Sequence, residues 1–300
     1  MTATAHSGRT AEAASAIRHH YDVGHEFYRL WLGSTMTYSC AMWQGEDDTL
    51  DAAQERKLRY HLQAIRAADA RRVLDIGCGW GSLLQRLSAE CGVERSVGLT
   101  LSDDQAAYVE RAGHRGVDVA LESWVDYAPD QPFDGIVSIG AFEHFATPDD
   151  SPAERARVYR EFFTRCREWL HEDGALSLQT IAYANMARED ASSFIQQEIF
   201  PNADLPTFAE IATAAEGIFA VRTVRNDPLD YARTLEAWAR GLRRHRDEAV
   251  ELVGPDVVER YSRYLKHSAF GFRMGKLALL RLVFDPYRSS YFKRGGRGKR

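Results

Sequence analysis

A glycine-rich turn after a short apolar segment is the part of the sequence most directly tied to chemistry. Residues 73–81 are Val-Leu-Asp-Ile-Gly-Cys-Gly-Trp-Gly, so the acid Asp75 precedes three glycines with the spacing GxGxG. Glycines at Gly77, Gly79 and Gly81 let the backbone turn sharply and approach a ligand closely. The dinucleotide fingerprint has the different spacing GxGxxG and binds a pyrophosphate at a helix N-terminus. A carboxylate just before the turn suits a cationic amino-acid group better, so we predict binding of S-adenosylmethionine for methyl transfer. The alternative is an ordinary strand–helix turn that Asp75 only caps.

Apolar segments that alternate with helix-like segments indicate the elements around this turn. The stretch 72–76 is short, apolar and stopped by glycines, as expected of a buried strand. Strands that alternate with helices favour βαβ units and a parallel sheet. We predict further strands at 96–101, 117–121, 135–139 and 175–181, helices between them at 82–89, 105–112 and 154–170, and N-terminal helices at 16–32 and 49–67.

The alternation ends after residue 181. There we predict helices at 191–200 and 207–216, a strand at 219–224, helical structure over 229–265 and a last strand at 277–284. We interpret the late helices as a cover over the substrate. The expected organisation is a single domain over 1–300, made of an N-terminal helical cap (1–68), a cofactor-binding core (69–182) and substrate-covering helices with the final strands (183–300).

Composition excludes several classes of protein. The chain has 300 residues, 45% of them hydrophobic, and can build a sizeable core, while its formal net charge of −5 argues against nucleic acid as a partner. Its four cysteines show no CxxC spacing, which favours reduced thiols, and we predict no metal site. No stretch approaches the roughly 18 apolar residues of a membrane span. We therefore expect a cytoplasmic protein.

Two basic clusters stand out against this acidic composition. Arg240, Arg243, Arg244 and Arg246 form the first, and residues 293–300 carry five basic groups without an acid. Both clusters suit ordinary solvated surface. They also suit peripheral contact with the anionic inner face of a membrane or with an acidic acyl carrier.

Several motifs, in a fixed order, together resemble the family of cyclopropane fatty acid and mycolic acid synthases. Their agreement is more specific than any single motif and covers nearly the whole chain. The motifs are His20-Tyr21-Asp22, Phe27-Tyr28, Thr37-Tyr38-Ser39-Cys40, the turn at 73–81, Gly98-Leu99-Thr100-Leu101-Ser102 with Gln105, the segment VSIGAFEHF at 137–145, Glu198-Ile199-Phe200-Pro201, Tyr231-Ala232-Arg233-Thr234-Leu235 and Phe272-Arg273.

This resemblance implies an α/β protein with the Rossmann-like class I methyltransferase fold, built on a seven-stranded mixed sheet. It implies methyl transfer from S-adenosylmethionine to an alkene carbon, usually in an unsaturated acyl chain, with bicarbonate in the site as base. Cys40, Glu143 and Tyr231 match the positions that hold the bicarbonate. The positions that contact the cofactor correspond to Tyr38, Ser39, Gly77, Thr100, Gln105, Trp124 and the backbone of Ile139.

Such a reaction makes clear demands on side chains. An alkene is a weak nucleophile, so the methyl donor has to be held in line with it. Methyl addition leaves a carbocation, which requires a dry pocket and is stabilised by aromatic faces. Candidates for aromatic walls, each of which could equally be plain core, are Tyr21, Phe27, Phe142, Phe145, Tyr231, Phe270 and Phe272.

The carbocation then loses a proton to a base. Bicarbonate needs hydrogen-bond donors, which Cys40 and Tyr231 provide, and an acceptor, which an ionised Glu143 provides. The alternatives are a buried apolar role for Cys40 and an ordinary surface position for Glu143. If Glu143 points inward, the adjacent His144 points elsewhere, and we expect His144 to be structural.

The chain departs from the family pattern at two places. Gln179-Thr180-Ile181 stands where the family usually has His-Thr-Ile, with the histidine bonded to bicarbonate, and Val125 stands where many members have an acid. Glutamine can still hold an anion, but it does not titrate near neutral pH as histidine does. Either the anion site survives with Gln179 as an altered member, or the base is different or absent.

Three functions remain open from the sequence. The first is a cyclopropane-synthase-like C-methyltransferase that acts on lipid alkenes. The second is a methyltransferase of specialised metabolism that makes no cyclopropane. The third, from another class, is a non-catalytic S-adenosylmethionine-binding protein, against which the joint presence of Cys40, Glu143 and Tyr231 argues.

Overall fold

The computed structural model describes residues 23–188 and 204–287. The predicted features outside these residues are the motif at 20–22 with Tyr21, the helix at 191–200, the motif at 198–201 and the basic tail at 293–300.

A seven-stranded sheet forms the centre of the described part of the chain. Its strands are β1 (Arg72–Ile76), β2 (Arg95–Thr100), β3 (Val117–Leu121), β4 (Phe133–Ile139), β5 (Leu170–Tyr183), β6 (Phe219–Asn226) and β7 (Leu277–Pro286). The order across the sheet is β3-β2-β1-β4-β5-β7-β6. Only β7 runs antiparallel to its neighbours β5 and β6. The predicted seven-stranded mixed sheet is therefore confirmed.

Helices flank this sheet in the described part of the chain, in the predicted order but with shifted ends. They are α1 (His25–Leu32), α2 (Leu50–Ala64), α3 (Ser82–Glu90), α4 (Asp103–Ala112), α5 (Pro152–Trp169), α6 (Phe208–Ala215), α7 (Pro228–Arg244), α8 (Arg246–Val253) and α9 (Pro255–Arg273), with 3₁₀ turns at Ala67–Asp69 and Phe142–His144. The late helical insertion consists of α7, α8 and α9, between β6 and β7. Among the described helices, none combines the length and the apolar composition needed to cross a bilayer.

The alternation of side chains along β1 explains two of the apolar layers. Leu74 and Ile76 belong to a core that includes α5 and α6, whereas Val73 belongs to a core that includes α2, α3 and α4. Because neighbouring strand residues face opposite sides, Asp75 shares the side of Val73. A third cluster, rich in aromatic rings, packs α1 against α7 and α9. The acid of the glycine turn thus points towards the side of the sheet that α2 covers.

Helix ends differ from the predicted ones for identifiable reasons. The helix predicted over 49–67 ends at Ala64, because Arg66 adopts a left-handed conformation with φ of 57°. The helix predicted from 154 begins at Pro152, because Ser151 and Glu154 form a capping box around a proline that suits the first turn. Local side-chain chemistry at the ends, rather than hydrophobic periodicity, sets these boundaries.

Candidate active site

A cavity of about 200 Å³ lies at the carboxyl ends of β1, β2 and β4, the edge where α/β sheets bind ligands. The glycine turn after β1 forms part of its wall. The predicted cofactor residues that line this cavity are Tyr38, Ser39, Asp75, Gly77, Gly79, Thr100, Gln105, Trp124 and Ile139. Residues from five separate parts of the sequence therefore meet around one space.

Glycine is required at each of the three positions of the turn for a different structural reason. Gly77 has φ of 81°, and an added Cβ would lie 2.5 Å from the Cβ of Ala141. Gly79 has φ of 53° and lines the cavity, with nothing within 4 Å of an added Cβ. Gly81 lies outside the cavity lining, and its added Cβ would lie 2.8 Å from Val109 of α4. Gly79 leaves space for a ligand, whereas Gly81 permits close packing against α4.

Lys57 is a member of the cavity wall that the sequence analysis missed. Its side chain is buried, and its Nζ donates a hydrogen bond to Oγ of Ser39 at 3.0 Å. Burial lowers the pKa of Lys57 to about 7. Burial also raises the pKa of Asp75 to about 7, against the opposing charge of Lys57. Two oppositely charged groups that both titrate near neutral pH therefore share this wall.

The helical periodicity of α2 could have revealed Lys57. The residues that α2 buries lie three or four positions apart, which is the spacing of a helix face that packs on a core. Along that face Gln54, Lys57 and His61 alternate with the apolar residues Leu58 and Leu62. Polar residues at core positions are expensive unless they have partners, so their presence there points to a site.

Glu143 and His144 take different positions from those expected. Glu143 is buried behind the cavity, and its Oε1 accepts a hydrogen bond from the backbone N–H of Ile181 at 2.6 Å. Its Oε2 has no hydrogen-bond partner among the described residues, and burial raises its pKa to about 7. His144 itself lines the cavity, and burial lowers its pKa to about 4. The expectation that His144 lies away from the site was therefore wrong.

Cys40 and Gln179 are in direct contact. The thiol of Cys40 is completely buried and donates to the carbonyl of Ala41 at 3.0 Å. Burial raises its pKa to about 12, so Cys40 is a neutral thiol. The amide Nε2 of Gln179 donates to the carbonyl of Cys40 at 3.5 Å. Arg281, a residue that no sequence motif indicated, donates from its Nε to Oε1 of Gln179 at 2.8 Å.

Tyr231 belongs to the aromatic cluster that also contains Cys40. Its ring lies 4.7 Å from that of Phe272. Of the other candidate wall residues, Phe27 and Phe142 are completely buried core, and Phe145 lines the cavity. Phe270 is 62% exposed, so it forms no wall of a buried pocket, in contrast to the expectation.

Three of the four predicted catalytic residues have a chain neighbour or a sheet partner in the cavity wall. None of Cys40, Glu143, Gln179 and Tyr231 lines it directly. For two of them a chain neighbour does, because Ser39 precedes Cys40 and His144 follows Glu143. Gln179 pairs in the sheet with Ile139, which also lines the cavity. Cys40, Glu143 and Gln179 therefore lie next to residues of the cavity wall, whereas Tyr231 is connected to it through the aromatic cluster that contains Cys40 and Trp80.

Known proteins are similar in sequence to this chain over most of its length. The family model described as mycolic acid cyclopropane synthetase matches residues 8–282. Cyclopropane mycolic acid synthase 3 of Mycobacterium tuberculosis is 36% identical over 277 residues, which cover 86% of this chain and 92% of that protein. Cyclopropane mycolic acid synthase MmaA2 of the same species is 37% identical over 280 residues, with the same coverage of 86% and 92%.

Solved structures agree with the sequence comparison. Cyclopropane synthase MmaA2 from Mycobacterium tuberculosis superposes with a TM-score of 0.81 at 34% identity, over 90% of this chain and 97% of that one. The mycolic acid cyclopropane synthase CmaA1 complexed with SAH and CTAB gives 0.80 at 33% identity, with the same coverage of 90% and 97%. A coclaurine N-methyltransferase, at 21% identity and a TM-score of 0.70, shares the fold.

The sheet order, the cavity at its carboxyl edge and the glycine turn define a class I S-adenosylmethionine-dependent methyltransferase. The residues of the cavity fit that methyl donor. Gly79 leaves open space in the cavity, and Asp75 offers a carboxylate to a cationic ligand. Within this class, the chain belongs to the mycolic acid cyclopropane synthetase family.

Proposed function

We propose that this enzyme transfers a methyl group to an alkene carbon of an unsaturated acyl chain, and that a bound bicarbonate takes up the proton that is released. The observation that carries the proposal is the buried carboxylate of Glu143, whose Oε2 has no partner among the described residues. A buried polar atom without a partner is costly. A bicarbonate hydroxyl is a donor that would satisfy it.

The residues that line the cavity position the methyl donor. S-adenosylmethionine, when bound, supplies a methyl carbon electrophilic enough to react with an alkene. We assign Asp75 to its cationic amino-acid group, and Thr100, Gln105 and Trp124 to the rest of the molecule. The hydroxyl of Thr100 donates to Oε1 of Gln105 at 2.7 Å, which orients that amide. Holding both reactants in line removes much of the entropic barrier to reaction.

The chemical step requires a site from which water is excluded and a base that takes up the proton. The π electrons of the alkene form the new carbon–carbon bond while the carbon–sulfur bond breaks, and the positive charge passes to the neighbouring alkene carbon. The aromatic cluster around Tyr231 excludes water that would quench this charge. A bicarbonate held beside Glu143 would accept the proton, and the electrons of the broken carbon–hydrogen bond would close either a cyclopropane ring or a new double bond.

The anion itself requires donors on one side and an acceptor on the other. Burial keeps the Cys40 thiol neutral, because its pKa is raised to about 12. We assign Gln179 and Tyr231 as donors and Glu143 as the acceptor, and Cys40 becomes a third donor when its thiol proton turns from the carbonyl of Ala41 to the anion. Glutamine at position 179 lets the site hold an anion without a histidine.

Gln179 also favours a second candidate function. If the site does not hold bicarbonate, deprotonation follows another route and the product is a methylated alkene in a small metabolite rather than a cyclopropane in lipid. A third candidate, binding of S-adenosylmethionine without catalysis, predicts tight binding of S-adenosylhomocysteine and no turnover on any alkene.

We also propose how an acyl substrate reaches the enzyme. Arg240, Arg243 and Arg244 near the end of α7, with Arg246 at the start of α8, are all exposed. Their charges suit an anionic surface. Sedimentation with vesicles of anionic or of zwitterionic lipid tests this, and binding to the anionic vesicles alone supports it. Equal binding to both, or to neither, contradicts it.

A labelling experiment tests the reaction. The enzyme is incubated with methyl-labelled S-adenosylmethionine and a bacterial lipid extract, and the acyl chains are analysed by mass spectrometry and NMR. Label in a cyclopropane ring supports the proposal. Turnover of a small alkene with no label in lipid supports the second candidate, and no turnover beside tight cofactor binding supports the third. The variant Glu143→Gln serves as the control for the anion site.

A further inference from the structure

The side chain of a histidine from another element lies next to Gln179. The family that this chain resembles usually has a histidine at this position, but β5 carries Gln179. His61 of α2 is completely buried against the same strand. Its Nδ1 lies 2.8 Å from Oγ of Ser177, and its Nε2 lies 3.5 Å from Oε1 of Gln179. The imidazole therefore lies beside the glutamine.

Arg281 approaches the same oxygen from the neighbouring strand. Gln179 and Arg281 are paired across β5 and β7. The side chain of Arg281 has no exposed surface, and its Nε donates to Oε1 of Gln179 at 2.8 Å. Its Nη1 donates to Asp227 at 2.6 Å, and its Nη2 donates to the carbonyl of Ala41 at 3.0 Å. These bonds hold the guanidinium in one place with its charge balanced.

The hydrogen-bond pattern determines which way the amide of Gln179 points. An arginine only donates, so Oε1 of Gln179 must be the acceptor. His61 then contributes Nε2–H to this oxygen, while its Nδ1 accepts from the hydroxyl of Ser177. Burial lowers the pKa of His61 well below its usual value, which agrees with this neutral form. The amide nitrogen of Gln179 is left facing Cys40.

We propose that His61 and Arg281 are positioning residues that hold Gln179 as a fixed N–H donor to the small carbonate-type anion of this site. The proposal rests on the proposed function, because it concerns the same anion. In this arrangement the amide of Gln179 takes the place of the histidine that is usual in the family. The neutral ring of His61 and the guanidinium of Arg281 set its orientation. The amide of Gln179, unlike an imidazole, does not gain or lose a proton near neutral pH.

Matched variants of His61 test the positioning role. His61→Gln keeps an N–H group at about the distance of Nε2, whereas His61→Met keeps the volume and removes the donor. The measurements are the bicarbonate concentration for half-maximal activity, kcat at saturating bicarbonate, and the Kd of S-adenosylhomocysteine by calorimetry. We expect His61→Met to raise the half-activating concentration roughly 3- to 10-fold. His61→Gln should stay within about 2-fold of the unmodified enzyme, and cofactor affinity should be unchanged in both.

The possible outcomes separate the two proposals. If the unmodified enzyme turns over without any dependence on bicarbonate, the proposed anion step fails. If it depends on bicarbonate and His61→Met behaves like the unmodified enzyme, the positioning inference is overturned. Equal losses in His61→Met and His61→Gln also overturn it, because they indicate only a structural role.

A spectroscopic test does not depend on the folding of His61 variants. In unmodified enzyme labelled with ¹⁵N-glutamine, the side-chain amide signal of Gln179 is assigned by its absence from Gln179→Glu. We expect this signal to shift on addition of bicarbonate, while that of the exposed Gln44 stays in place. An unshifted Gln179 signal in an enzyme that bicarbonate activates overturns the inference.

Discussion

The Nζ atom of Lys57 donates a hydrogen bond to Oγ of Ser39 over 3.0 Å, and both side chains line the cofactor cavity beside Asp75. A protonated Lys57 would repel the cationic methyl donor. Burial lowers the pKa of Lys57 and raises that of Asp75, each to about 7. Near neutral pH the wall can therefore become negative at Asp75 and neutral at Lys57, which is the charge state that suits a cationic ligand.

We predict that affinity for S-adenosylmethionine increases as the pH rises through about 7, the raised pKa of Asp75. Below that pH Asp75 is protonated and Lys57 is charged, and both changes disfavour a cation. Between about one pH unit below and one above, the affinity should rise roughly 10-fold. Calorimetry at several pH values measures this. The slope should flatten in Asp75→Asn, and a flat profile in the unmodified enzyme would contradict the assignment.

We predict that Gly79→Val abolishes cofactor binding, because its side chain would occupy space that the cavity leaves open. The matched control is Gly217→Val. Gly217 also has a positive φ, 72°, and open space around an added Cβ, but it lies in the turn between α6 and β6. Both variants carry similar backbone strain. Calorimetry with S-adenosylhomocysteine should show binding only in the control, and intact binding in Gly79→Val would refute the placement of the cofactor.

We predict that Glu143→Gln binds the cofactor normally and loses roughly 100-fold in turnover. The amide keeps the size of the side chain, but it cannot take up a proton, and its neutral oxygen is a weaker acceptor for the bicarbonate hydroxyl. Steady-state kinetics and calorimetry separate the two properties. The exposed Glu248 offers the control Glu248→Gln. Unchanged turnover in Glu143→Gln would count against an anion at this position.

We predict that Arg281→Met destabilises the fold by about 3 kcal/mol, because it removes one partner of a buried ion pair. The pair joins Nη1 of Arg281 to Asp227 at 2.6 Å, and the arginine side chain is 0% exposed. Arg225 contacts the same Asp227 from an exposed position, so Arg225→Met is the control. Its cost should be below about 1 kcal/mol. Chemical denaturation compares the two, and equal costs would contradict the role of burial.

Local sequence predicted the elements of the sheet and the turn that they support. The apolar run at 72–76 and the glycines after it suffice for a strand that leads into a ligand-binding turn, because both depend on neighbouring residues only. The alternation at 219–224 and the apolar run at 277–284 likewise predicted β6 and β7. Helix ends were less accurate, because single caps and one left-handed residue decide them.

The site was predictable only in part. Tyr38, Thr100 and Trp124 were found by their motifs and do line the cavity. Lys57 and His61 were not predicted, because the sequence does not show whether a polar residue on a helix faces solvent or a buried partner. Their partners Ser39 and Ser177 lie 18 and 116 positions away in the chain.

The class of fold, the glycine turn and the family could be read from the amino-acid sequence, since these depend on short-range patterns and on motifs in a fixed order. The tertiary structure alone decided how the departure at Gln179 is accommodated. Side chains from α2 and β7 converge on its amide oxygen, because packing α2 against β5 and pairing β5 with β7 brings His61 and Arg281 to one buried point. In that low-dielectric interior each polar atom needs a partner, and this requirement orients the amide towards Cys40.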